Sequence, residues 1–188
     1  NAVKMYKFKP LVKDTNVLKI IFVSRISEKK NLLFSLQLLT SITQKVIFDI
    51  YGPKEDVNYW EKCQKVIDKL PDNIAVSYKG ELPQQKVIIV MRKYHAFLLP
   101  TFSENFGHVI VEAMQAGLIP IISDKTPWVG LQDANIGWSI PLNRGLDYIK
   151  AIDSLCEINS KEYTDKSFRV MGYIHTKIDN KLAAEKYL

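Results

Sequence analysis

The sequence holds no apolar run of the roughly 20 residues that a bilayer-spanning helix needs, and no basic start leading through a short apolar stretch to a cleavage site. A soluble chain is therefore expected. Its 2 cysteines, Cys63 and Cys156, lie far apart inside helix-like patterns and form no Cys-x-x-Cys pair. Two buried thiols in a reducing, cytoplasmic setting are expected rather than a disulfide. Also missing are Gly-x-Gly-x-x-Gly, a Gly-Lys-Ser/Thr phosphate loop, His-Glu-x-x-His and an Asp-x-Asp pair that could hold a divalent ion on a diphosphate. The Gly-x-Ser-x-Gly nucleophile elbow is absent too. If this chain handles phosphate, protein cations and helix amides have to neutralise it, with no metal expected.

What is present is an ordinary globular composition, 47% hydrophobic and 24% charged over 188 residues, enough for one sizeable core. Asn1 and Ala2 read as a tag remnant at the head of an interdomain lead-in over residues 1–16, as though the chain were cut from a longer protein. The main domain is expected over 17–158 and a helical tail over 159–188. The net charge of +6 and a pI near 9.2 suit a phosphate-rich partner, an anionic membrane surface, or a solvated basic face. A nucleic-acid partner is not expected, because the lysines are scattered over helices without a basic stripe interleaved with aromatics.

Short apolar runs recur at 17–24, 45–52, 73–80, 95–100, 118–123 and 137–141. Most do not alternate and are rich in β-branched residues, as strands covered on both faces must be. Helical spacing fills the gaps: Leu32, Leu33, Leu36 and Leu39; Trp60, Cys63, Val66, Ile67 and Leu70; Val87, Ile88, Val90 and Met91; Val109, Ile110, Ala113 and Met114. Strands alternating with helices imply right-handed crossovers and an open parallel sheet, an α/β Rossmann-like doubly wound domain. From Leu146 the pattern turns helical, with a break at Asn159-Ser160 and Ser160 as the expected N-cap.

Ligands of such sheets bind beyond the carboxyl ends of the strands. After the first strand stand Arg25 and Lys30, two cations at a helix N-terminus, where unpaired amides already favour an anion. After the fourth comes "TFSENFGHVIVEAMQAG". Here Glu104 lies in a loop, Phe106 or Gly107 opens a helix, and Gly117 closes it. Glu112 sits about six residues into that helix, roughly 9 Å along its axis. Two acids that far apart suit different parts of one elongated ligand, and they accept from hydroxyls while repelling phosphate. Acids at the ends with cations between suggest sugar, diphosphate and ribose. His108 shares a helix face with Glu112 at i, i+4 spacing and is expected to pair with it. His95 and His175 are expected to be structural.

In order, "FVSRISEKKN", "IYGP", "VSYKGEL" and "FLLPTFSENFGHVIVEAMQAGLIPIIS" resemble the C-terminal half of family 4 glycosyltransferases of the GT-B fold, over about residues 17–141. "TPWVGL" with "GWSIP" is similar to the bacterial members that build surface polysaccharide, including lipopolysaccharide. The resemblance implies retaining transfer of a sugar from a nucleotide diphosphate sugar, most often a UDP-sugar, with no metal. It matches Arg25 and Lys30 to the diphosphate, Glu104 to the donor sugar hydroxyls, and Asn105, Phe106 and Gly107 to backbone contacts beside it. It matches Glu112, with His108 near it, to the ribose, and Lys79, Gly80 and Leu82 to the base. The sequence departs from the family pattern at Ser24 and Asn31, where glycines are usual, and at Val129-Gly130, which replace an acid.

The acceptor, a glycan or a lipid-linked one, would be held by an N-terminal domain that this chain lacks. Alone, the chain is expected to bind donor but not transfer it. A peripheral seat on the inner face of the membrane suits its charge. The alternative class is a nucleotide-sugar-binding module without transferase activity, which an upstream stretch of comparable length with strand-helix patterning would exclude.

Overall fold

The computed structural model describes residue 13 and residues 16–185, with side chains to residue 179. The expected tag remnant and lead-in over residues 1–16 lies outside the described residues except at Lys13 and Asn16.

Six strands appear where the unalternated runs stood: β1 (Leu18–Val23), β2 (Val46–Tyr51), β3 (Ile74–Tyr78), β4 (Ala96–Leu99), β5 (Ile119–Ser123) and β6 (Trp138–Ile140). They form one sheet in the order β3-β2-β1-β4-β5-β6, every pair parallel, with Leu18 opposite Val46 and Ile20 opposite Ala96. Ile20, Ile21, Phe22, Phe48, Phe97, Leu98, Ile121 and Ile122 are wholly buried, so neighbouring residues on both faces of the sheet lie in the core. That double burial is why the runs do not alternate.

The helices are α1 (Leu32–Leu39), α2 (Val57–Ile67), α3 (Val87–Met91), α4 (His108–Gln115), α5 (Gly145–Glu157) and α6 (Ser160–Glu185). α1 packs on α2 and α5, while α4 packs on α3 and α6, giving the two helical layers of a doubly wound fold. Gly117, at φ 83°, ends α4 in a Schellman turn: its N–H reaches the Met114 carbonyl and the Leu118 N–H reaches Ala113. The short edge strand β6 is closed by a side chain. The Gln132 amide donates to the Ser139 carbonyl at 3.0 Å and accepts from the Ser139 N–H at 3.1 Å, as a neighbouring strand would.

The tail is one helix, and its start differs from the expected N-cap. Asn159 Oδ1 accepts from the Glu162 N–H at 3.0 Å while Glu162 Oε2 accepts from the Asn159 N–H at 2.9 Å, a reciprocal capping box that makes Asn159 the cap and Ser160 already helical. α6 buries Tyr163, Ser167, Val170 and Ile174 against the sheet side, with Ser167 Oγ on the Gly117 carbonyl at 2.6 Å.

Both thiols are free, Cys63 buried and Cys156 half-buried, and burial pushes each up to about 11. His95 is structural: its Nδ1 accepts the Lys19 N–H at 2.9 Å. His175 lies exposed on α6. Among the described residues no helix is long and apolar enough to cross a membrane.

Candidate donor-binding site

The strand order reverses direction between β1 and β4, so the loops after these strands part there and leave a crevice. Its walls are held by backbone bonds between loops. Ser24 N–H reaches the Tyr51 carbonyl and Ile26 N–H the Pro53 carbonyl, tying the loop after β1 to the loop after β2. Gly52 stands at this seam with φ 134°, and a Cβ there would lie 1.9 Å from the Ser24 carbonyl oxygen, so no larger residue fits.

The loop after β1 turns through a short 3-10 helix, Glu28–Lys30, into Asn31, whose φ of 59° and ψ of 39° are left-handed. Asn is the non-glycine residue that best tolerates this region. Its side chain then donates to the Pro100 carbonyl at 3.0 Å, a bond glycine could not make. Phe102 N–H and Thr101 Oγ1 both reach the Lys29 carbonyl, at 2.9 and 3.0 Å, and Ser123 Oγ donates to the Thr101 carbonyl at 2.5 Å. The loops after β1, β4 and β5 are thus one stitched platform.

This platform and the loops after β2 and β3 enclose a cavity of about 390 Å³. Arg25, Lys30, Leu82, Glu104, Gly107, His108 and Glu112 all line it. Of the remaining expected site residues, Asn105, Phe106, Lys79 and Gly80 do not. Phe106 is half-buried against Trp128, whose indole N–H donates to the Phe106 carbonyl at 2.7 Å and so uses that backbone group to brace the loop. The Lys79 ammonium lies 3.7 Å from Asp49 Oδ1, its N–H donates to Ile50, and the Gly80 carbonyl accepts from Gly52. Those backbone groups hold β3 to β2. A hollow of about 560 Å³ on the other side of Asn31 is larger but gathers a single cation, Lys29, so chemistry rather than size selects the smaller cavity.

Arg25, Lys30, Glu104 and Glu112 each have a specific partner. Lys30, only 8% exposed, donates to Glu104 Oε1. Arg25 donates to Glu55 Oε1 at 2.7 Å in a solvent-exposed pair. Glu112 is bonded by the Gln84 side-chain amide. Burial raises the Glu112 carboxyl above its usual range, while the Gln84 hydrogen bond and the charge of His108 pull it back down. His108 therefore acts on Glu112 through charge, and Gln84 holds the hydrogen bond that the i, i+4 spacing had suggested for His108.

α4 begins at His108, with Gly107 as a left-handed N-cap at φ 74°, so Glu112 is its fifth residue. The His108 and Val109 N–H groups belong to the first turn, which has no intrahelical carbonyls to meet, and both residues line the cavity. Two cations, a helix N-terminus and the separated carboxylates Glu104 and Glu112 therefore share one crevice, with Glu81 exposed at its rim. Such a set neutralises phosphate in the middle and accepts from hydroxyls on either side. Among the described residues no cluster of three or more His, Cys, Asp or Glu could hold a metal ion. Gln84 and Glu55 had no sequence signal of their own, since each meets its partner only through tertiary packing.

The family described as glycosyl transferases group 1 matches residues 4–167. Two curated relatives are GDP-mannose:cellobiosyl-diphosphopolyprenol alpha-mannosyltransferases. That of Xanthomonas campestris is 31% identical over 163 residues, 82% of this chain and 42% of the relative. That of Xanthomonas oryzae pv. oryzae (strain PXO99A) is 26% identical over 196 residues, 100% of this chain and 50% of the relative. The chain spans about half the length of the curated relatives it matches.

Among solved structures, WaaG, a glycosyltransferase involved in lipopolysaccharide biosynthesis, superposes with a TM-score of 0.70 at 17% identity over 88% of this chain and 44% of that one. TarM of S. aureus, solved with UDP, gives 0.75 at 16% identity over 98% and 37%. HepE of Anabaena, solved with UDP and glucose, gives 0.68 at 17% over 89% and 48%. At these identities the likeness is one of fold.

Proposed function

This chain belongs to the glycosyl transferases group 1 family, the family 4 enzymes of the GT-B fold, and from that premise we propose that it is the donor-binding half of a retaining glycosyltransferase. The observation that carries the proposal is the cavity at the sheet's switch point, which gathers Arg25, Lys30, Glu104 and Glu112 around the N-terminus of α4. The donor is a sugar on a nucleoside diphosphate. Its phosphates lie at Lys30, Arg25 and the first amides of α4, its ribose hydroxyls on Glu112 and its sugar hydroxyls on Glu104. As the bond from the sugar to the diphosphate breaks, negative charge grows on the departing oxygen, and fixed cations aimed there lower the barrier without a metal.

Binding requires the cations to change partners. Lys30 must leave Glu104 and Arg25 must leave Glu55, so a diphosphate that takes both lysine and arginine also frees Glu104 for the sugar. The acceptor is a glycan or lipid-linked glycan, as in the cellobiosyl-diphosphopolyprenol that names the curated relatives, and it is held by a second domain of the whole protein. The role is in surface polysaccharide synthesis on the cytoplasmic side, with the +6 charge favouring a peripheral seat on anionic membrane. The relatives divide over the base: the mannosyltransferases are named for GDP-mannose, whereas TarM and HepE were solved with UDP.

Calorimetric titration of the chain with GDP, UDP and ADP tests the reading. Saturable binding of at least one is expected, and no binding of any at millimolar concentration overturns it.

A further inference from the structure

The loop after β3 supplies Glu81 and Leu82 to the cavity, and the short 3-10 helix that follows it, Gln84–Lys86, supplies Gln84. Gln84 is already committed to Glu112. That bond fixes the order of groups along the cavity, because the Lys30–Glu104 pair brackets the phosphate end and Glu112 touches the β3 loop. A nucleotide lying with its phosphates at Lys30 and its ribose at Glu112 extends its base past the ribose, toward Leu82 and Glu81. Leu82 is half-buried and apolar, a surface for a ring face. Glu81 is exposed at the rim, and no hydrogen bond or ion pair engages its carboxylate among the described residues. Gly80 before it is left-handed, at φ 81°, with open space around the position of a Cβ, so the chain turns there without a side chain to shield the carboxylate.

We propose that Glu81 reads the base and that the base is guanine; this rests on the donor-site reading above and sharpens it. An ionised carboxylate only accepts hydrogen bonds, through two parallel oxygens. Guanine offers two adjacent donors, N1–H and the 2-amino group, on the edge opposite the sugar, and so meets both oxygens at once. Uracil offers a single N–H between two carbonyls, and those carbonyl oxygens face the carboxylate with like partial charge. Adenine places an acceptor nitrogen beside its amino group. The same carboxylate therefore attracts one base and disfavours the other two, which is discrimination by both gain and penalty.

The test is a calorimetric comparison of GDP, IDP, UDP and ADP on the full chain and on Glu81→Ala and Glu81→Gln, each first shown to melt like the parent. IDP is guanosine diphosphate without the 2-amino group. In the parent, GDP should bind roughly tenfold or more tighter than IDP, UDP or ADP, as expected for losing a hydrogen bond to a charged group. In Glu81→Ala, GDP should weaken about tenfold while UDP holds or tightens, so that the GDP-to-UDP ratio collapses toward one. A lesion that merely disturbed the loop would weaken all four together, and that outcome overturns the proposal. UDP binding as tightly as GDP, or an unchanged ratio in Glu81→Ala, overturns it while leaving the donor site standing. Failure of every nucleotide to bind overturns the donor site itself.

Discussion

Lys30 donates to Glu104 at the mouth of α4, and both side chains are nearly buried, at 10% and 14% exposure. The cation expected on the diphosphate and the acid expected on the donor sugar thus neutralise each other across 74 residues of chain. Removing one member of a buried pair strands the other's charge. Glu104→Gln should therefore destabilise the ligand-free chain by about 3 kcal/mol. The deficit should shrink as nucleoside diphosphate is added, because phosphate supplies the missing negative charge. Urea denaturation with and without nucleotide measures both parts, and a deficit that nucleotide leaves unchanged contradicts the exchange of partners.

Glu112 gives a pH dependence of definite sign. Burial raises its carboxyl above the usual 4.5, so the folded chain holds a proton there more tightly than the unfolded chain. Its contribution to stability is full below the unfolded value and is lost as pH rises through the folded one. Ribose binding runs the other way, since only the ionised acid accepts both hydroxyls without a proton in the way. Nucleoside diphosphate affinity should fall more steeply from pH 7 to pH 5 in the parent than in Glu112→Gln, the phosphate's own titration being common to both. Parallel pH profiles would remove Glu112 from the ribose.

Asn31 holds a left-handed conformation that glycine would also adopt, and it adds the bond to Pro100. Asn31→Gly should cost about 1 kcal/mol, the hydrogen bond alone. Asn31→Val should cost about 3 kcal/mol, adding the strain of a β-branched residue at positive φ. Chemical denaturation of the two variants separates the terms.

The start of α6 distinguishes two residues that sequence composition ranks alike. Asn159→Ala should lose about 1 kcal/mol of stability as the cap is removed, whereas Ser160→Ala should stay within about 0.5 kcal/mol. Equal losses in thermal melts would restore Ser160 as the cap.

The strands were readable because a parallel sheet covered on both faces leaves long apolar runs, and each observed strand falls within its expected run, trimmed at the ends. The Asn159 cap was also within reach: Glu162 stands three residues on, the spacing of a capping box, while nothing at that spacing serves Ser160. The cavity residues Arg25, Lys30, Glu104 and Glu112 were legible from their places after strands and at a helix mouth. Their partners were not. Gln84 competes with His108 for Glu112 from 28 residues away, and Asp49, a buried acid within β2, draws Lys79 aside. Local spacing says which groups can meet on one element, but only packing decides which group arrives from another.

The most direct test is a crystal structure of the chain with bound GDP. The account predicts phosphate oxygens within hydrogen-bond reach of Lys30 and Arg25, ribose hydroxyls on Glu112, and the Lys30–Glu104 contact broken. Nucleotide seated outside the cavity, or phosphates bound elsewhere with Lys30 still on Glu104, would contradict it.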